Sequence, residues 1–174
     1  MNSSEPSFTL PPWLKSALPW LVASGLLFGI AHAVGGGSTS GGHLVGEAAP
    51  DLSVQLTSGE HFDLSAQSGV TVVNFWARWC PPCRAEAGDL MRTHEAIAGR
   101  GRVLGIAMEG ADIPAADNLG MRYPIALATP GLPAAFGVNM LPSTFVVDEN
   151  GVVRASFVGA VTESELRAAI ALAE

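Results

Sequence analysis

Residues 70–83 read VTVVNFWARWCPPC and contain the only two cysteines of the chain, Cys80 and Cys83. The first seven of these residues are mostly β-branched or aromatic, as in a buried strand, and the residues after Cys83 have helix-forming character. The cysteines therefore lie where a strand passes into a helix. Side chains at i and i+3 of a first helical turn face the same way with Cβ atoms about 5–6 Å apart, which allows a disulfide after a small adjustment. The spacing predicts a redox-active dithiol.

The order of the two cysteines predicts their roles. Cys80 is expected at the N-cap, where the helix dipole and free N–H groups favour a thiolate. Because it lies at the surface end of the helix, it is predicted to be the attacking sulfur. Cys83, one turn further in, is expected to be shielded and to resolve the mixed disulfide. Pro81 and Pro82 carry no N–H group, so the N–H of Cys83 remains as a donor to the Cys80 thiolate.

Two other uses of the cysteines have less support in the sequence. A zinc site needs four ligands, and His43, His61 and His94 would have to converge from separated segments without any paired spacing. A purely structural disulfide across two residues closes so small a loop that it constrains the unfolded chain little. We therefore expect no metal and no cofactor.

A second motif leads to a family resemblance. Residues 75–83 resemble the active-site segment of the thioredoxin superfamily, and more narrowly that of the membrane-anchored TlpA/ResA-type thiol–disulfide oxidoreductases. Residues 141–148, LPSTFVVD, are similar to the family's loop with a cis-proline opposite the dithiol, here Pro142. The resemblance runs from about Leu44 to the C terminus. It implies an α/β, thioredoxin-like fold and an enzyme that exchanges thiols and disulfides.

The resemblance also implies roles for residues near the dithiol. Glu86 matches the family's active-site glutamate and is a candidate to tune the thiol pKa values or relay a proton; the alternative is an exposed helix carboxylate paired with arginines. Asn74 stands where thioredoxin itself has a buried acid, so that base is missing here. Glu109 and Asp112 face the dithiol region if the fold is right, but we expect them in a solvated loop.

Substrate binding is expected around the exposed side of the dithiol. Trp79 is predicted to form a partly exposed wall of the substrate groove, with core packing as the alternative, whereas Trp76 is predicted to lie in the core. The groove is completed by the prolines and by the cis-proline loop, that is, by Pro81, Pro82, Leu141 and Pro142.

The direction of electron flow follows from the two prolines. Because few N–H donors face Cys80, we expect its pKa nearer the thioredoxin value of about 7 than the DsbA value of about 3.5, and a more reducing potential. The chain also lacks a helical insertion of the DsbA type between the dithiol and Pro142. Reduction of substrate disulfides is the preferred direction.

The N-terminal region predicts export. Ser16 to Val34 contains no Asp, Glu, Lys or Arg and spans ~28 Å as a helix, about the thickness of a bilayer core. Lys15 precedes it and no Lys or Arg follows until Arg78, so the N terminus is expected in the cytoplasm and the domain outside. Residues 31–33, AHA, resemble a signal-peptide cleavage site, so a signal peptide cleaved after residue 33 is an alternative. An uncleaved anchor is favoured, because the family resemblance includes one and the positively charged region before the segment is weak.

These observations divide the chain into four parts. Residues 1–15 are expected to be cytoplasmic, 16–34 an anchor or signal peptide, 35–43 a Gly/Ser linker, and 44–174 one domain with one core. The expected location is the bacterial inner membrane, as a single-pass protein with its domain in the periplasm. Nine basic and sixteen acidic residues give a net charge of −7, which leaves no basic stripe for nucleic acid binding.

Hydrophobic patterning predicts the elements of the domain. An N-terminal β-hairpin is expected within Leu52–Leu64, a second hairpin is expected near the C terminus, and Thr162 with Glu165 forms a capping box for the last helix. The predicted ranges are strands at Val70–Trp76, Val103–Met108, Ile125–Leu127, Thr144–Asp148 and Val152–Val158, a helix from Cys83 to about Ala98, and a turn or two of helix within Ile113–Gly120.

The predicted function is an extracytoplasmic reductase of disulfides in exported proteins. The resemblance implies cytochrome c maturation, with the oxidised heme-attachment Cys-x-x-Cys-His of an apocytochrome c as substrate and a transmembrane thiol transporter as electron donor. The alternatives are a general periplasmic reductase or isomerase, a reductase for copper-site assembly, a thiol peroxidase and a non-catalytic binding module. The C-x-x-C spacing argues against the peroxidase, and the intact dithiol argues against the binding module.

Overall fold

The structure is a computed structural model, and it describes residues 42–174. Seven strands and four α-helices form this part of the chain, with single 3₁₀ turns at Gly42–Leu44, Leu64–Ala66 and Gly110–Asp112. The strands are β1 Ser53–Gln55, β2 His61–Asp63, β3 Val70–Trp76, β4 Gly101–Ala107, β5 Ile125–Leu127, β6 Ser143–Val147 and β7 Val153–Val158; the helices are α1 Pro81–Ala96, α2 Ile113–Asn118, α3 Leu132–Ala135 and α4 Glu163–Ala171.

A five-stranded mixed sheet is the centre of the domain. Its strand order is β5-β4-β3-β6-β7, with β3, β4 and β5 parallel, β6 antiparallel to β3, and β7 antiparallel to β6. β1 and β2 form a separate antiparallel hairpin. The middle strand β3 is buried along its whole length, as expected for a strand covered on both faces. The α/β, thioredoxin-like fold with an N-terminal hairpin is confirmed.

The two faces of β3 contribute to two separate cores. Val72 and Trp76 pack on the face that α1 and α4 cover, and Val73 and Phe75 pack on the face that the β1–β2 hairpin and α3 cover. This alternation is the period-two pattern of a strand. On the second face Phe75 lies 5.3 Å from Phe136, measured between ring centroids. Both faces of the sheet are thus covered at the point where its middle strand leads to the dithiol.

Gly105 shows how closely side chains pack on the face of the sheet that α1 and α4 cover. It pairs with Asn74 across β3 and β4. A Cβ atom at this position would lie 2.6 Å from Ile125 Cδ1 and 3.0 Å from Tyr123 Cε2. The absence of a side chain therefore lets Tyr123 and Ile125 pack against the sheet at Gly105.

Most predicted elements are present, with small differences at their ends. α1 begins at Pro81 rather than Cys83, because proline is well tolerated in the first helical turn. The capping box of Thr162 and Glu165 is present at the start of α4. α3 was not predicted; it has four residues after Gly131, too few to show a helical period.

Among residues 42–174, no helix is both long and apolar enough to cross a membrane. The predicted cytoplasmic segment 1–15, the anchor or signal peptide 16–34 and the linker up to residue 41 lie outside the described residues. Those three assignments stay predictions.

Candidate active site

The two cysteines lie at the start of α1. Cys80 is the N-cap residue and a disulfide joins it to Cys83, with the Cα atoms 5.3 Å apart. The N–H of Cys83 donates to Cys80 Sγ over 3.2 Å, and Pro81 and Pro82 fill the first two helical positions. The predicted N-cap position and its single remaining donor are therefore confirmed. Cys83 is fully buried, as predicted, but Cys80, which was expected at the surface end of the helix, is only 3% exposed while the disulfide joins it to Cys83.

The loop before β6 lies at the same end of the sheet. The Leu141–Pro142 peptide bond is cis, as the resemblance implied. Phe75 pairs with Ser143, so the residue before Ser143 lies beside the end of β3 from which the chain continues to Cys80. The loop is held in place because the Pro142 carbonyl accepts a hydrogen bond from Gly159 N–H over 2.9 Å.

Apolar side chains are exposed beside the dithiol. Trp79 is 59% exposed, and Pro81 and Pro82 are also exposed. Met140, next to the cis-proline loop, is likewise 59% exposed, although the sequence reasoning missed it; its place directly before Leu141 was the available signal. The substrate-binding roles of these residues stay predictions. Trp76 has no exposed surface, so its prediction as a core residue is confirmed.

Glu86 is a buried carboxylate one helical turn after Cys83. It is 2% exposed; its Oε1 accepts a hydrogen bond from Asn74 Nδ2 over 2.8 Å and its Oε2 accepts one from Val161 N–H over 2.9 Å. Burial raises its pKa to about 7, with a smaller contribution from the charge of Asp89, and the two hydrogen bonds oppose this shift. The alternative of an exposed carboxylate paired with arginines is wrong.

A polar cluster surrounds Glu86 in the helical face of the core. The amide of Asn74 also donates to Thr144 Oγ1 over 2.9 Å, because these residues are direct partners across β3 and β6. Asn74 Oδ1, Tyr123 OH and Trp76 Nε1 are buried without a hydrogen-bond partner in the described part of the chain. Burial, and then the charge of Glu86, raise the pKa of Tyr123. Sequence reasoning missed Thr144, although it follows Ser143 in the cis-proline motif, and it missed Tyr123.

Asp112 contradicts the expectation of a solvated loop. Its side chain has no exposed surface, whereas Glu109 is exposed. Asp112 Oδ1 accepts a hydrogen bond from Arg78 N–H over 3.0 Å, and Oδ2 accepts one from Glu109 N–H over 2.9 Å. The expectation is wrong for Asp112 because the chain after β4 turns back in a 3₁₀ turn and packs this carboxylate against the segment before Cys80.

The histidines considered as zinc ligands lie on separate elements. The His43 ring packs against Gly137, His61 Nε2 lies 3.2 Å from Ser53 Oγ, and His94 accepts a hydrogen bond from Val103 N–H. Within residues 42–174, no three His, Cys, Asp or Glu side chains are grouped closely enough to hold a metal ion.

Comparisons with known proteins agree with this geometry. The profile of the AhpC/TSA family matches residues 45–156. The chain is 32% identical over 128 residues to the thioredoxin-like protein YneN of Bacillus subtilis, covering 70% of this chain and 75% of YneN. It is 30% identical over 125 residues to the thiol-disulfide oxidoreductase ResA of Bacillus subtilis, covering 68% of this chain and 70% of ResA.

A solved structure gives the same result for the fold. The thiol:disulfide interchange protein of the thioredoxin family from Chlorobium tepidum superposes with a TM-score of 0.65 at 30% identity, covering 72% of this chain and 94% of that one. The similarity therefore includes almost the whole of a protein that is named for disulfide exchange.

Proposed function

The chain belongs to the AhpC/TSA family and is similar to the thiol-disulfide oxidoreductase ResA. We propose that it reduces disulfides in exported proteins. The observation that carries the proposal is the Cys80–Cys83 pair at the start of α1 with the buried carboxylate of Glu86 one turn behind it. Pro81 and Pro82 leave a Cys80 thiolate with one backbone donor in this helical turn, which favours a moderate thiol pKa and a reducing potential.

The reaction begins from the reduced dithiol. The Cys80 thiolate attacks one sulfur of a substrate disulfide; the substrate S–S bond breaks, a mixed disulfide with Cys80 forms, and the departing sulfur takes up a proton. Cys83 then loses its proton and attacks Cys80, so that the Cys80–Cys83 bond forms and the second substrate sulfur departs as a thiol after protonation. Two electrons pass to the substrate, and a donor dithiol restores the enzyme.

Glu86 is the candidate acceptor for the proton of Cys83. Cys83 is fully buried, so its proton needs an acceptor inside the protein. A carboxyl group with a pKa of about 7 is suited to take up and release a proton near neutral pH. This role replaces that of the acid which thioredoxin has at the position of Asn74, and Asn74 instead orients Glu86 by its hydrogen bond.

The proposed setting is the outer side of the bacterial inner membrane. Support comes from the uncharged segment 16–34, with one lysine before it and a Gly/Ser linker after it. A tether would raise the concentration of the dithiol near a transmembrane thiol transporter acting as electron donor. The proposed substrate is the oxidised Cys-x-x-Cys-His of an apocytochrome c, to which the exposed Trp79 and Met140 offer apolar contacts.

A defined substrate peptide tests this proposal. The full-length protein carrying Cys83→Ala, reduced and held in detergent, is mixed with an oxidised Cys-x-x-Cys-His peptide. We expect a stable mixed disulfide at Cys80, and none with the matched Cys80→Ala variant. Wild-type protein should release the reduced peptide and end as the Cys80–Cys83 disulfide.

Other outcomes would support other functions. Equal reaction with unrelated disulfide peptides would indicate a general reductase or isomerase, and preference for a copper-site peptide would indicate copper-site assembly. Rapid oxidation of Cys80 by peroxide without peptide reduction would indicate a peroxidase. If Cys80 reacts neither with disulfide peptides nor with peroxide, the reductase is refuted and a binding module remains.

A further inference from the structure

Asp112 joins the two loops that meet beside the dithiol. We call residues 77–80 the entry loop, because they connect β3 to the N-cap of α1. Asp112, after β4, accepts the N–H of Arg78 in the entry loop with one carboxylate oxygen and the N–H of Glu109 in its own loop with the other. Arg78, whose N–H donates to Asp112, lies two residues before Cys80.

These backbone bonds account for a fully buried carboxylate. A buried charge is costly unless hydrogen bonds satisfy its oxygens. The guanidinium of Arg78 contributes little to the stabilisation of the Asp112 carboxylate, because its Nε lies 3.9 Å from Asp112 Oδ1 and its side chain is 52% exposed. The two N–H groups, at 3.0 and 2.9 Å, are therefore the main partners of Asp112.

The remaining contacts of the entry loop show what Asp112 adds. The loop begins at a fixed point because Met108 N–H donates to the Trp76 carbonyl, and it closes as a turn because Cys80 N–H donates to the Ala77 carbonyl. Between these points the bond to Asp112 fixes the backbone at Arg78. Cys80 itself is held by the disulfide and by Arg84 N–H, which donates to the Cys80 carbonyl over 3.2 Å; reduction removes the disulfide but leaves this hydrogen bond.

We propose that Asp112 is a positioning residue that sets the reactivity of reduced Cys80 by holding the entry loop against the loop that follows β4. The inference rests on the proposed role of Cys80 as nucleophile. When the disulfide is open, the Asp112 bond acts together with the Arg84 hydrogen bond to hold Cys80 at the N-cap, where the N–H of Cys83 can donate to its thiolate. Loss of the Asp112 bond loosens the entry loop before Cys80, which weakens this donation and favours the thiol over the thiolate.

Two variants separate positioning from charge. Asp112→Asn removes the charge and turns one acceptor into an NH₂ group that faces an N–H donor. Asp112→Glu keeps the charge but moves the carboxylate out of register with both N–H groups. If Asp112 acts by positioning, both variants raise the pKa of Cys80; if it acts only by its charge, Asp112→Asn lowers that pKa and Asp112→Glu leaves it unchanged.

The chain offers a matched control at Asp148. This carboxylate is 6% exposed, accepts N–H bonds from Asn150 and Val152 and pairs with Arg154. It therefore has a similar set of partners, but it lies in the β6–β7 turn. Asp148→Asn is expected to affect stability without changing Cys80.

The experiment measures the rate of iodoacetamide labelling of the reduced full-length proteins against pH, with the labelled cysteine identified by mass spectrometry. We expect both Asp112 variants to raise the Cys80 pKa by about half a unit, which makes labelling about threefold slower below the pKa. Asp148→Asn should follow the wild type. An unchanged profile in the Asp112 variants, or the pattern expected for charge alone, overturns the inference.

Hydrogen exchange on the wild-type protein tests the same inference without depending on whether a variant folds. Hydrogen exchange at the Arg78 N–H should stay slow after reduction of the disulfide, and fast exchange there overturns the inference. The proposed function fails separately: if Cys83 is labelled before Cys80 in the wild type, Cys80 is not the nucleophile. If Cys80 is labelled first throughout and only the effect of Asp112 is absent, the function stands and this inference alone fails.

Discussion

Replacing Glu86 by glutamine should change how the stability of the oxidised protein depends on pH. The carboxyl group is buried against Asn74 and the N–H of Val161, and burial raises its pKa from 4.5 to about 7. Glutamine has nearly the same shape and does not titrate in this range. The unpartnered Oδ1 of Asn74 can turn to accept a hydrogen bond from its NH₂ group.

The magnitude follows from linkage. Between pH 4.5 and about 7 the folded protein keeps a proton that the unfolded chain has lost, so the contribution of Glu86 to stability falls as pH rises through this window. It is fully present below the unfolded pKa and lost above the folded one. At about 1.4 kcal/mol per pKa unit, the loss is about 3 kcal/mol. The Glu86→Gln variant does not lose this free energy of unfolding, because glutamine does not titrate in this range.

The assay is urea unfolding of the oxidised full-length protein, followed by circular dichroism at a series of pH values from about 4.5 to about 8. In the oxidised protein neither cysteine titrates, because the disulfide joins them. Burial lowers the pKa of His94, which makes stability rise with pH near the His94 transition, but this contribution is common to both proteins. The difference between wild type and Glu86→Gln therefore isolates Glu86.

The control is Asp148→Asn, because burial of Asp148 is outweighed by the hydrogen bonds from Val152, Arg154 and Asn150, which lower its pKa and leave it ionised in this pH range. The stability curve of this control should run parallel to that of the wild type, whereas the wild type should lose about 3 kcal/mol relative to Glu86→Gln across the range. If the Glu86→Gln curve also runs parallel, Glu86 is already ionised well below neutral pH and the proposed proton transfer from Cys83 loses its basis.

Three further predictions concern the dithiol and its surroundings. Alkylation of the reduced protein at neutral pH should modify Cys80 much faster than Cys83; equal rates would contradict the assigned roles. Glu86→Gln should shift the pH dependence of Cys80 labelling by a measurable fraction of a unit, and superimposable curves would show that the two groups are not coupled. Equilibration with glutathione should give a potential well below the roughly −120 mV of DsbA and towards the roughly −270 mV of thioredoxin; a value near that of DsbA would favour an oxidative role.

Local sequence was enough to predict the centre of this site. The N-cap position of Cys80, the two prolines and the donor N–H of Cys83 depend on residues within one helical turn, so the motif itself specifies their geometry. The β-hairpins and the capping box of the last helix are local in the same sense, and they formed as predicted. The cis bond before Pro142 is different, because the residues alone favour trans and only the family resemblance implied cis.

Tertiary structure decided which carboxylates are buried. Glu86 and Asp112 appear in the sequence as ordinary acids, one on a helix and one in a loop, and solvent exposure was a reasonable expectation for either. Glu86 is buried because Val161, 75 positions away, supplies an N–H group to it and β3 supplies Asn74. Asp112 is buried because β4 lies beside β3 and brings it to Arg78, 34 positions away. The pKa of a side chain depends on the groups that replace its water, and distant segments reach these two carboxylates only when the sheet assembles.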